Sequence, residues 1–198
     1  MAALLAGDVV IEEKVDGANL GLWIDASGEV RVQNRGNLIS PGSHPQFGLL
    51  WPWLATRLES LSRVLGRDKI LFGEWCFAVH SLHYDRLPDW FLGFDVYDRG
   101  KHEFWSSARR DALFAQVAVV PVPRLDRGHF SKHEIVARLD RATSRLMCEG
   151  PPEGFYLRRE DDEWLAMRAK IVRREFVQAI DEHWTRKPLR RNRLALKP

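Results

Sequence analysis

The sequence is poor in cysteine, with only Cys76 and Cys148 among its 198 residues. Two cysteines so far apart supply neither a disulfide framework nor the paired spacing of a zinc site, so we expect free thiols and a reducing, cytoplasmic setting. The sequence also lacks the roughly 20 consecutive apolar residues that a membrane-spanning helix needs. Met1–Gly7 has no basic residue of the kind that begins a signal peptide. These absences argue against a secreted disulfide-rich protein and against a membrane protein.

Acidic residues are absent from residues 186–197, which contain six basic residues. Because the formal net charge of the chain is only +3, the remainder is mildly acidic. A basic tail on such a body indicates a polyanionic partner bound through its phosphates, although a solvated tail explains the composition equally well. We therefore predict a folded domain over residues 1–185 and a basic tail over residues 186–198.

Short apolar segments bounded by turn residues predict strands, and longer segments with helical periodicity predict helices. The predicted strands cover residues 8–14, 19–25, 29–34, 70–77, 90–97, 117–122, 154–159 and 164–171. The predicted helices cover residues 47–65 with an interruption at Pro52, 106–116, 131–145 and 174–184. This order predicts an α+β domain in which antiparallel sheets are flanked by helices.

Several predicted strands have an unusual composition, because each is an apolar run with one or two charged residues near its end. The acidic ones are Glu74, Asp95 and Glu153. Unpaired buried charges are costly, so these side chains should meet one another, local basic partners or a ligand. Local ion pairs would explain any one of them, but their number favours one shared phosphate site. A Walker-type glycine-rich loop is missing, so such a loop would not hold the phosphates.

The segment from Glu12 to Gly17 lies where the first apolar strand ends. The alternation of a pleated strand places Glu12, Lys14 and Asp16 on one face and Glu13 on the other. A lysine at the end of such a strand is either an ion-pair partner or a nucleophile. The segment alone leaves both interpretations open.

Six segments, in order, resemble the conserved motifs of the covalent nucleotidyltransferases, the superfamily of ATP-dependent DNA ligases, RNA ligases and mRNA capping enzymes. The first is similar to the RNA ligase 2 type, which also has glutamate before the motif lysine and asparagine five residues after it. The segments are Glu13-Lys14-Val15-Asp16-Gly17-Ala18-Asn19, Asn34-Arg35-Gly36, Phe72-Gly73-Glu74, Phe94-Asp95-Val96, Glu153-Gly154-Phe155-Tyr156-Leu157-Arg158 and Arg168-Ala169-Lys170.

This resemblance implies a nucleotidyltransferase domain of the ATP-grasp-like type and an ATP-dependent RNA ligase. It implies ATP and Mg²⁺ or Mn²⁺ as cofactors, and nicked or single-stranded RNA ends as partners. Only 28 residues follow Lys170, so we expect no OB-fold domain. That expectation argues against the alternatives of a DNA ligase and a capping enzyme. A relative that binds nucleic acid, RNA or DNA, without catalysis is a further alternative.

The resemblance also implies roles for individual residues. Lys14 would form the covalent lysyl-AMP bond, assisted at the phosphates by Arg168 and Lys170. Ordinary lysine is almost entirely protonated at pH 7, and nearby cations and desolvation favour the neutral nucleophile. The implied catalytic residues are Lys14, Asp95, Glu153 and Lys170. The implied nucleotide-binding residues are Glu12, Glu13, Lys14, Asn19, Arg35, Glu74, Phe94, Glu153, Arg168 and Lys170.

Among these residues, Phe94 would stack on adenine and Glu74 would accept hydrogen bonds from the ribose. Glu12 and Glu13 compete for a position near adenine. Glu153 and Glu74 are the implied metal ligands, with Asp95 a further candidate for contact with the metal.

Two features depart from the family pattern. Arg168 occupies a position where lysine is usual, which changes the geometry at phosphate because a guanidinium is planar and forked. Only 13 residues precede Lys14, so a segment that lines the pocket is expected to be short or missing. His80 and His83 have a spacing that suits a metal, but without a second ligand pair we expect RNA contact or packing.

Overall fold

The strand that ends at Lys14 forms from β-branched and apolar residues and is almost entirely buried. The computed structural model describes residues 1–178 and 188–196. In it this strand, β1, lies inside a four-stranded antiparallel sheet with the order β11-β10-β1-β9. The strands of this smaller sheet are β1 (Val9–Lys14), β9 (Arg124–Gly128), β10 (Gly154–Glu160) and β11 (Leu165–Val172).

The larger sheet has the order β4-β3-β2-β5-β6-β7, and a short strand, β8, pairs in parallel with β6. Its other neighbouring strands are antiparallel. Its strands are β2 (Ala18–Ile24), β3 (Val30–Asn34), β4 (Asn37–Leu38), β5 (Lys69–Trp75), β6 (Phe91–Asp98), β7 (Glu103–Phe104) and β8 (Val120–Pro121).

Two helical layers cover the sheets, and this arrangement confirms the predicted α+β fold. Helices α1, α2 and α3 pack on one face of the larger sheet and complete its hydrophobic core. Helix α4 packs on the smaller sheet against the Val9 and Ile11 side of β1. The helices are α1 (Leu50–Ala55), α2 (Leu58–Leu65), α3 (Ser107–Gln116), α4 (Lys132–Arg141) and α5 (Arg174–Gln178).

The alternation along the strands leaves one face of each sheet free of these helices. On β5 the residues that enter the core are Leu71 and Trp75, whereas Glu74 lies on the opposite, half-buried face. On β1, Lys14 and Glu12 lie opposite the face that packs on α4. Lys14 and Glu74 therefore lie on sheet faces that do not form the cores with the helices.

Most predicted elements are confirmed, but several boundaries differ. Pro52 does not interrupt the helix, because it lies in the first turn of α1, where backbone amides have no helical partner. The break falls instead between α1 and α2. Strand β9 has no counterpart among the predicted strands, since charged residues interrupt its short sequence. The predicted strand 117–122 contributes only Val120–Pro121, and the predicted helix 131–145 ends at Arg141.

The predicted helix 174–184 begins as α5, and its part from residue 179 onward lies outside the described residues. Of the predicted basic tail, residues 188–196 are described, and their backbone is hydrogen-bonded to the segment 77–87. None of the helices in the described part of the chain has the length and hydrophobicity needed to cross a membrane.

Candidate active site

Lys14 is the last residue of β1, and it lies directly opposite Gly154, the first residue of β10. A Cβ atom at Gly154 would collide with the Ile171 carbonyl oxygen of β11, so only glycine allows the strands to approach this closely here. The Lys14 ammonium donates a hydrogen bond of 2.5 Å to Glu153 Oε2. Strand pairing therefore brings together two residues that the sequence places 139 positions apart.

Glu74 approaches this pair from the larger sheet. It lies on β5 opposite Asn19 of β2, at the edge where the chain turns after Lys14. A Cβ on Gly17 would lie 2.7 Å from the Trp75 carbonyl oxygen and 3.0 Å from Glu74 Cγ. The glycine of the first motif is therefore needed for the turn to pack against β5.

The carboxylates at this site crowd one another. The pKa of Glu74 is raised to about 8, mainly by burial and also by the negative charges of Asp16 and Glu153, which outweigh the opposing effect of Lys14. Burial also raises the pKa of Glu153, while Lys14 and Lys170 oppose that change. The structure thus brings Lys14, Glu74, Glu153 and Lys170 into electrostatic contact, with more acidic than basic groups around Lys14.

The raised pKa of Glu74 predicts a pH-dependent stability. Between pH 4.5 and about 8 the unfolded chain ionises this carboxyl while the folded protein keeps it protonated, so its contribution to stability falls as pH rises. Glu74→Gln mimics the protonated form, and we expect the variant to melt several degrees above the wild type at pH 8 and at the same temperature at pH 4. The difference in the free energy of unfolding should grow by at most about 1.4 kcal/mol for each pH step of one in this interval.

Thermal unfolding from pH 4 to pH 8.5 measures this difference in melting temperature. The matched control is Glu59→Gln, which changes an almost fully exposed glutamate on α2 and should leave the pH profile unchanged. If the difference in melting temperature between Glu74→Gln and wild type does not grow with pH, the raised pKa of Glu74 is contradicted.

Asp16 does not face the Lys14 ammonium with a free carboxylate, because its Oδ2 accepts hydrogen bonds from the backbone amides of Ser81 and Leu82 at 2.6 and 3.0 Å. The Asp16 amide in turn donates to the Tyr84 hydroxyl at 2.9 Å. Asp16 therefore fixes the turn after Lys14 to the loop that follows β5. His80, in the same loop, contacts Gln46 Oε1 through its Nε2 atom.

Glu12 and Glu13 are both buried, but on opposite faces of β1. Glu12 pairs with Arg110 of α3 at 2.7 Å, and Glu13 accepts hydrogen bonds from the Ser144 hydroxyl and the Arg145 amide, the latter at 2.9 Å. Both oxygens of Glu13 are therefore engaged by protein groups, whereas Glu12 Oε2 makes no hydrogen bond to the described residues and has the Arg158 guanidinium 3.8 Å away. In this structure both hold the framework of the site together.

Asp95, a predicted catalytic residue and possible metal contact, is likewise bound to basic side chains. Its Oδ1 accepts a 2.5 Å hydrogen bond from Arg158 and its Oδ2 a 2.9 Å hydrogen bond from Arg168. Because both oxygens are engaged and the residue is buried, the structure places Asp95 as an anchor for the two arginines. Its predicted catalytic role and metal contact stay predictions.

Arg168 lies against the Phe104 ring, with its guanidinium carbon 4.0 Å from the ring centroid. Together with the Asp95 contact, this stacking explains why arginine suits the position, since a planar guanidinium can pair and stack at once. Lys170, two residues further on the same face of β11, is exposed and pairs in register with Tyr156. Among the described residues no ion pair engages Lys170, whereas Arg168 of the same motif is paired with Asp95.

Arg158 is a site residue that the sequence analysis did not select. It is fully buried and contacts Asp95, Glu160 and, at 3.8 Å, Glu12. Arg110 extends the same network to α3. The available signal was a single charge within the apolar strand segment 155–158, the same pattern that indicated Glu74.

The remaining predicted residues, Phe94, Arg35 and Asn19, belong to the larger sheet and its turns. Phe94 is the extra residue of a β-bulge in β6, and its half-buried ring packs beside the cluster around Val15. Arg35 is exposed in the β3–β4 turn with a left-handed backbone conformation (φ 47°). The Asn34 side chain donates to the Asn19 carbonyl oxygen at 2.7 Å, which ties this turn to β2.

The described residues contain no cluster of three or more His, Cys, Asp or Glu side chains suited to a metal ion. Glu74 and Glu153 nevertheless fit a hard divalent cation. Burial raises both pKa values, and neighbouring carboxylates raise them further, Asp16 and Glu153 at Glu74 and Asp16 at Glu153, so a cation would offset this repulsion. Mg²⁺ commonly binds one or two carboxylates and takes its other ligands from water and phosphate. The donor set therefore fits a metal that is held jointly with a phosphate ligand.

Comparison with known proteins finds a matching family model and solved structures with a similar fold. A family model described as RNA ligase matches residues 7–172. The fold is similar to an RNA ligase from Naegleria gruberi solved with pyrophosphate, with a TM-score of 0.69 and 17% identity over 90% of this chain and 53% of that chain. A variant of the same ligase solved with ATP and Mn gives a TM-score of 0.68 and 18% identity over 88% and 52% of the two chains.

The chain therefore spans about half the length of these solved ligases. At such identities the similarity establishes the shared fold, and a comparison with curated protein sequences gave no significant match. The family model covers the segments that contain Lys14, Glu74, Glu153 and Lys170, and the fold agrees with the nucleotidyltransferase fold predicted from those segments. The chain belongs to the RNA ligase family.

Proposed function

We propose that this domain is an ATP-dependent RNA ligase that forms a covalent lysyl-AMP intermediate on Lys14. The observation that supports this function best is the position of Lys14, whose amine lies at a strand end, bound to Glu153 and surrounded by Glu74 and Lys170. A structural ion pair between Lys14 and Glu153 alone would not require the further carboxylates of Glu74 and Asp16 beside it. The Naegleria gruberi ligase with the same fold was solved with ATP and Mn.

In the first step, the neutral Lys14 amine attacks the α-phosphorus of ATP. The N–P bond forms, the bond to the bridging oxygen of pyrophosphate breaks, and pyrophosphate leaves. The amine must first lose a proton, and Glu153 Oε2 at 2.5 Å is the positioned acceptor. Burial raises the pKa of Glu153, which makes it a better proton acceptor than an exposed carboxylate.

Charge that builds on the phosphoryl oxygens in this step needs a fixed cation. Lys170 is exposed on the same face of β11 as Arg168, and no ion pair engages it among the described residues. Arg168, held by Asp95, contributes at the edge of the site. A divalent metal held by Glu74 and Glu153 would supply further electrostatic stabilisation.

The nucleoside would lie between the two sheets. Phe94, exposed on one side by the β6 bulge, offers an aromatic face for adenine. Glu74 and Asn19 lie side by side across β5 and β2 and are placed to bind ribose hydroxyls. Arg35, in the exposed β3–β4 turn, is suited to contact a phosphate at the RNA 5′ end.

The two later steps transfer AMP to an RNA 5′-phosphate, with cleavage of the N–P bond, and then join the ends. In the last step a 3′-hydroxyl attacks the activated phosphate and AMP leaves. RNA ends are the proposed substrate because the chain belongs to the RNA ligase family. The proposed compartment is the cytoplasm, since Cys76 and Cys148 are both free thiols.

One experiment tests both the chemistry and the substrate. We expect the protein, incubated with Mg²⁺ and ATP labelled in the α-phosphate, to acquire a covalent label that resists denaturation. Nicked RNA, nicked DNA and single-stranded RNA with 5′-phosphate ends are then offered in parallel, and joined RNA is the expected product. Absence of a covalent label on folded protein would refute the enzymatic proposal, and joining of nicked DNA alone would favour a DNA ligase.

A further inference from the structure

The basic segment near the end of the chain is docked on the body of the domain. We call residues 188–196 the C-terminal strap. Its backbone exchanges hydrogen bonds of 2.8 to 3.1 Å with two stretches of the loop between β5 and β6. These bonds join Arg190 to Val79, Arg193 to both Tyr84 and Leu87, and Ala195 to Leu87.

Asn192 is the one buried residue of the strap, and its neighbours Arg191 and Arg193 are exposed. Its Nδ2 donates to the carbonyl oxygens of Cys76 and Ala78 at 2.8 and 3.1 Å. Its Oδ1 accepts from the Tyr84 amide at 2.8 Å. Two carbonyl acceptors face the Nδ2 group and one amide donor faces Oδ1, so the orientation of the side-chain amide is fixed. This arrangement needs a side chain with both an NH₂ group and a carbonyl oxygen, as asparagine has.

The loop that Asn192 holds is the same loop that holds the turn after Lys14. Tyr84 is fully buried, and its hydroxyl accepts the Asp16 amide at 2.9 Å. The amides of Ser81 and Leu82 bind the Asp16 carboxylate. A continuous set of hydrogen bonds therefore runs from Asn192 through Tyr84 to Asp16, two residues from Lys14.

The loop between β5 and β6 contains no regular secondary structure, so its shape depends on packing and on individual hydrogen bonds. Apolar side chains such as Tyr84 and Leu87 pack in the hydrophobic core. Buried polar groups in such a segment also need partners, and the Asn192 side chain supplies partners for three of them. Without Asn192 these three groups would be unsatisfied, and we expect the loop to shift together with the Tyr84 hydroxyl and the amides that bind Asp16.

We propose that Asn192 is a positioning residue for the reaction of Lys14, acting through Tyr84 and Asp16. The proposal rests on the proposed function, in which Lys14 is the nucleophile. Displacement of the turn would misalign the amine with the α-phosphate, and small misplacements of reacting groups lower rates strongly. The expected effect therefore falls on the rate constant of lysyl-AMP formation.

The test uses single-turnover formation of lysyl-AMP with labelled ATP and Mg²⁺ at saturating ATP. The rate constant then describes only the molecules that are folded and active, and the amplitude reports what fraction of all protein molecules these are. For Asn192→Ala we expect a rate constant lowered by about tenfold or more, with a smaller change in the ATP concentration for half-maximal rate. Tyr84→Phe removes only the hydroxyl group that accepts the hydrogen bond from the Asp16 amide, and it should also lower the rate constant.

The double variant separates a shared path from two independent defects. If Asn192 acts through Tyr84, Asn192→Ala combined with Tyr84→Phe should react no more slowly than the slower single variant. Asn192→Asp is a second substitution, which keeps the size and the acceptor for the Tyr84 amide but loses the donor to Cys76 and Ala78. Arg193→Gln is the matched control, since it changes an exposed strap residue and should leave the rate constant at the wild-type value.

Amide hydrogen exchange gives a readout that does not need the reaction. Peptides covering residues 14–18 should exchange faster in Asn192→Ala than in Arg193→Gln, while peptides from α2 remain unchanged. Any one of three results would overturn the proposal. They are wild-type rate constants in both Asn192 variants, multiplicative effects of the two substitutions in the double variant, and unchanged amide exchange near Asp16. A wild-type protein that forms no lysyl-AMP would refute the proposed function, and the exchange data would still decide whether Asn192 orders the turn.

Discussion

Lys14→Ala is expected to abolish the covalent AMP label completely, because no other group in the described site can replace its amine as the nucleophile. Among the described residues, Lys14 is the lysine bound to Glu153 at the strand end. Lys170 is an exposed residue two positions from the end of β11, on a different strand. The measurement is gel detection of protein labelled from α-phosphate-labelled ATP, with pyrophosphate release as a second readout.

The matched control is Lys14→Arg. Arginine keeps a positive charge beside Glu153, so the ion pair and the fold should be retained, but it does not lose its proton and cannot attack phosphorus. We therefore expect Lys14→Arg to be folded and equally unlabelled. A label that persists in either variant would place the nucleophile on another residue.

Arg158→Met is expected to cause the largest loss of stability among single substitutions near the site. The Arg158 side chain is fully buried and contacts the carboxylates of Asp95, Glu160 and Glu12. Removing one partner of a buried ion pair leaves uncompensated charge and typically costs about 3–5 kcal/mol. For a domain of this size that loss corresponds to a melting temperature lower by roughly 6 to 20 °C.

Burial is the cause of this expected effect, and the control is chosen to isolate it. Arg31 makes an ion pair with Asp25 at the same 2.5 Å distance as the pair between Arg158 and Asp95, but its side chain is exposed on β3. Arg31→Met should change the melting temperature only slightly, because water already screens the pair. Equal effects of the two substitutions would show that the buried network contributes no more than a surface contact.

The motif segments predicted which residues lie together better than they predicted the partners of each residue. Lys14, Glu74, Glu153 and Lys170 were selected from motif segments, and the structure brings them together. Strand pairing explains why Lys14, Glu153 and Lys170 meet in the smaller sheet. Lys14 ends β1 opposite the first residue of β10, which follows Glu153, and Lys170 lies near the end of β11, which pairs with β10.

Other residues have positions that the sequence left undecided. Glu12 and Glu13 were equal candidates for adenine contact, yet Arg110 engages one and Ser144 the other. Asp95 holds Arg158, from which it is separated by 63 residues. Alternation along a strand indicates which face a side chain occupies, but it contains no information about which distant group lies opposite.

The basic tail shows the same division between sequence and tertiary structure. The composition of the tail established a run of positive charge without acidic residues. In the rest of the chain, the sequence by itself established the order of the motifs and the α+β class of the domain. Only the tertiary structure decided that residues 188–196 pack on the loop after β5 and that Asn192 is buried there. The physical reason is that hydrogen bonds of a buried amide depend on groups 108 to 116 residues away, which no local pattern specifies. Composition and periodicity arise from the local chain, whereas the partners of buried polar groups exist only once the chain has folded.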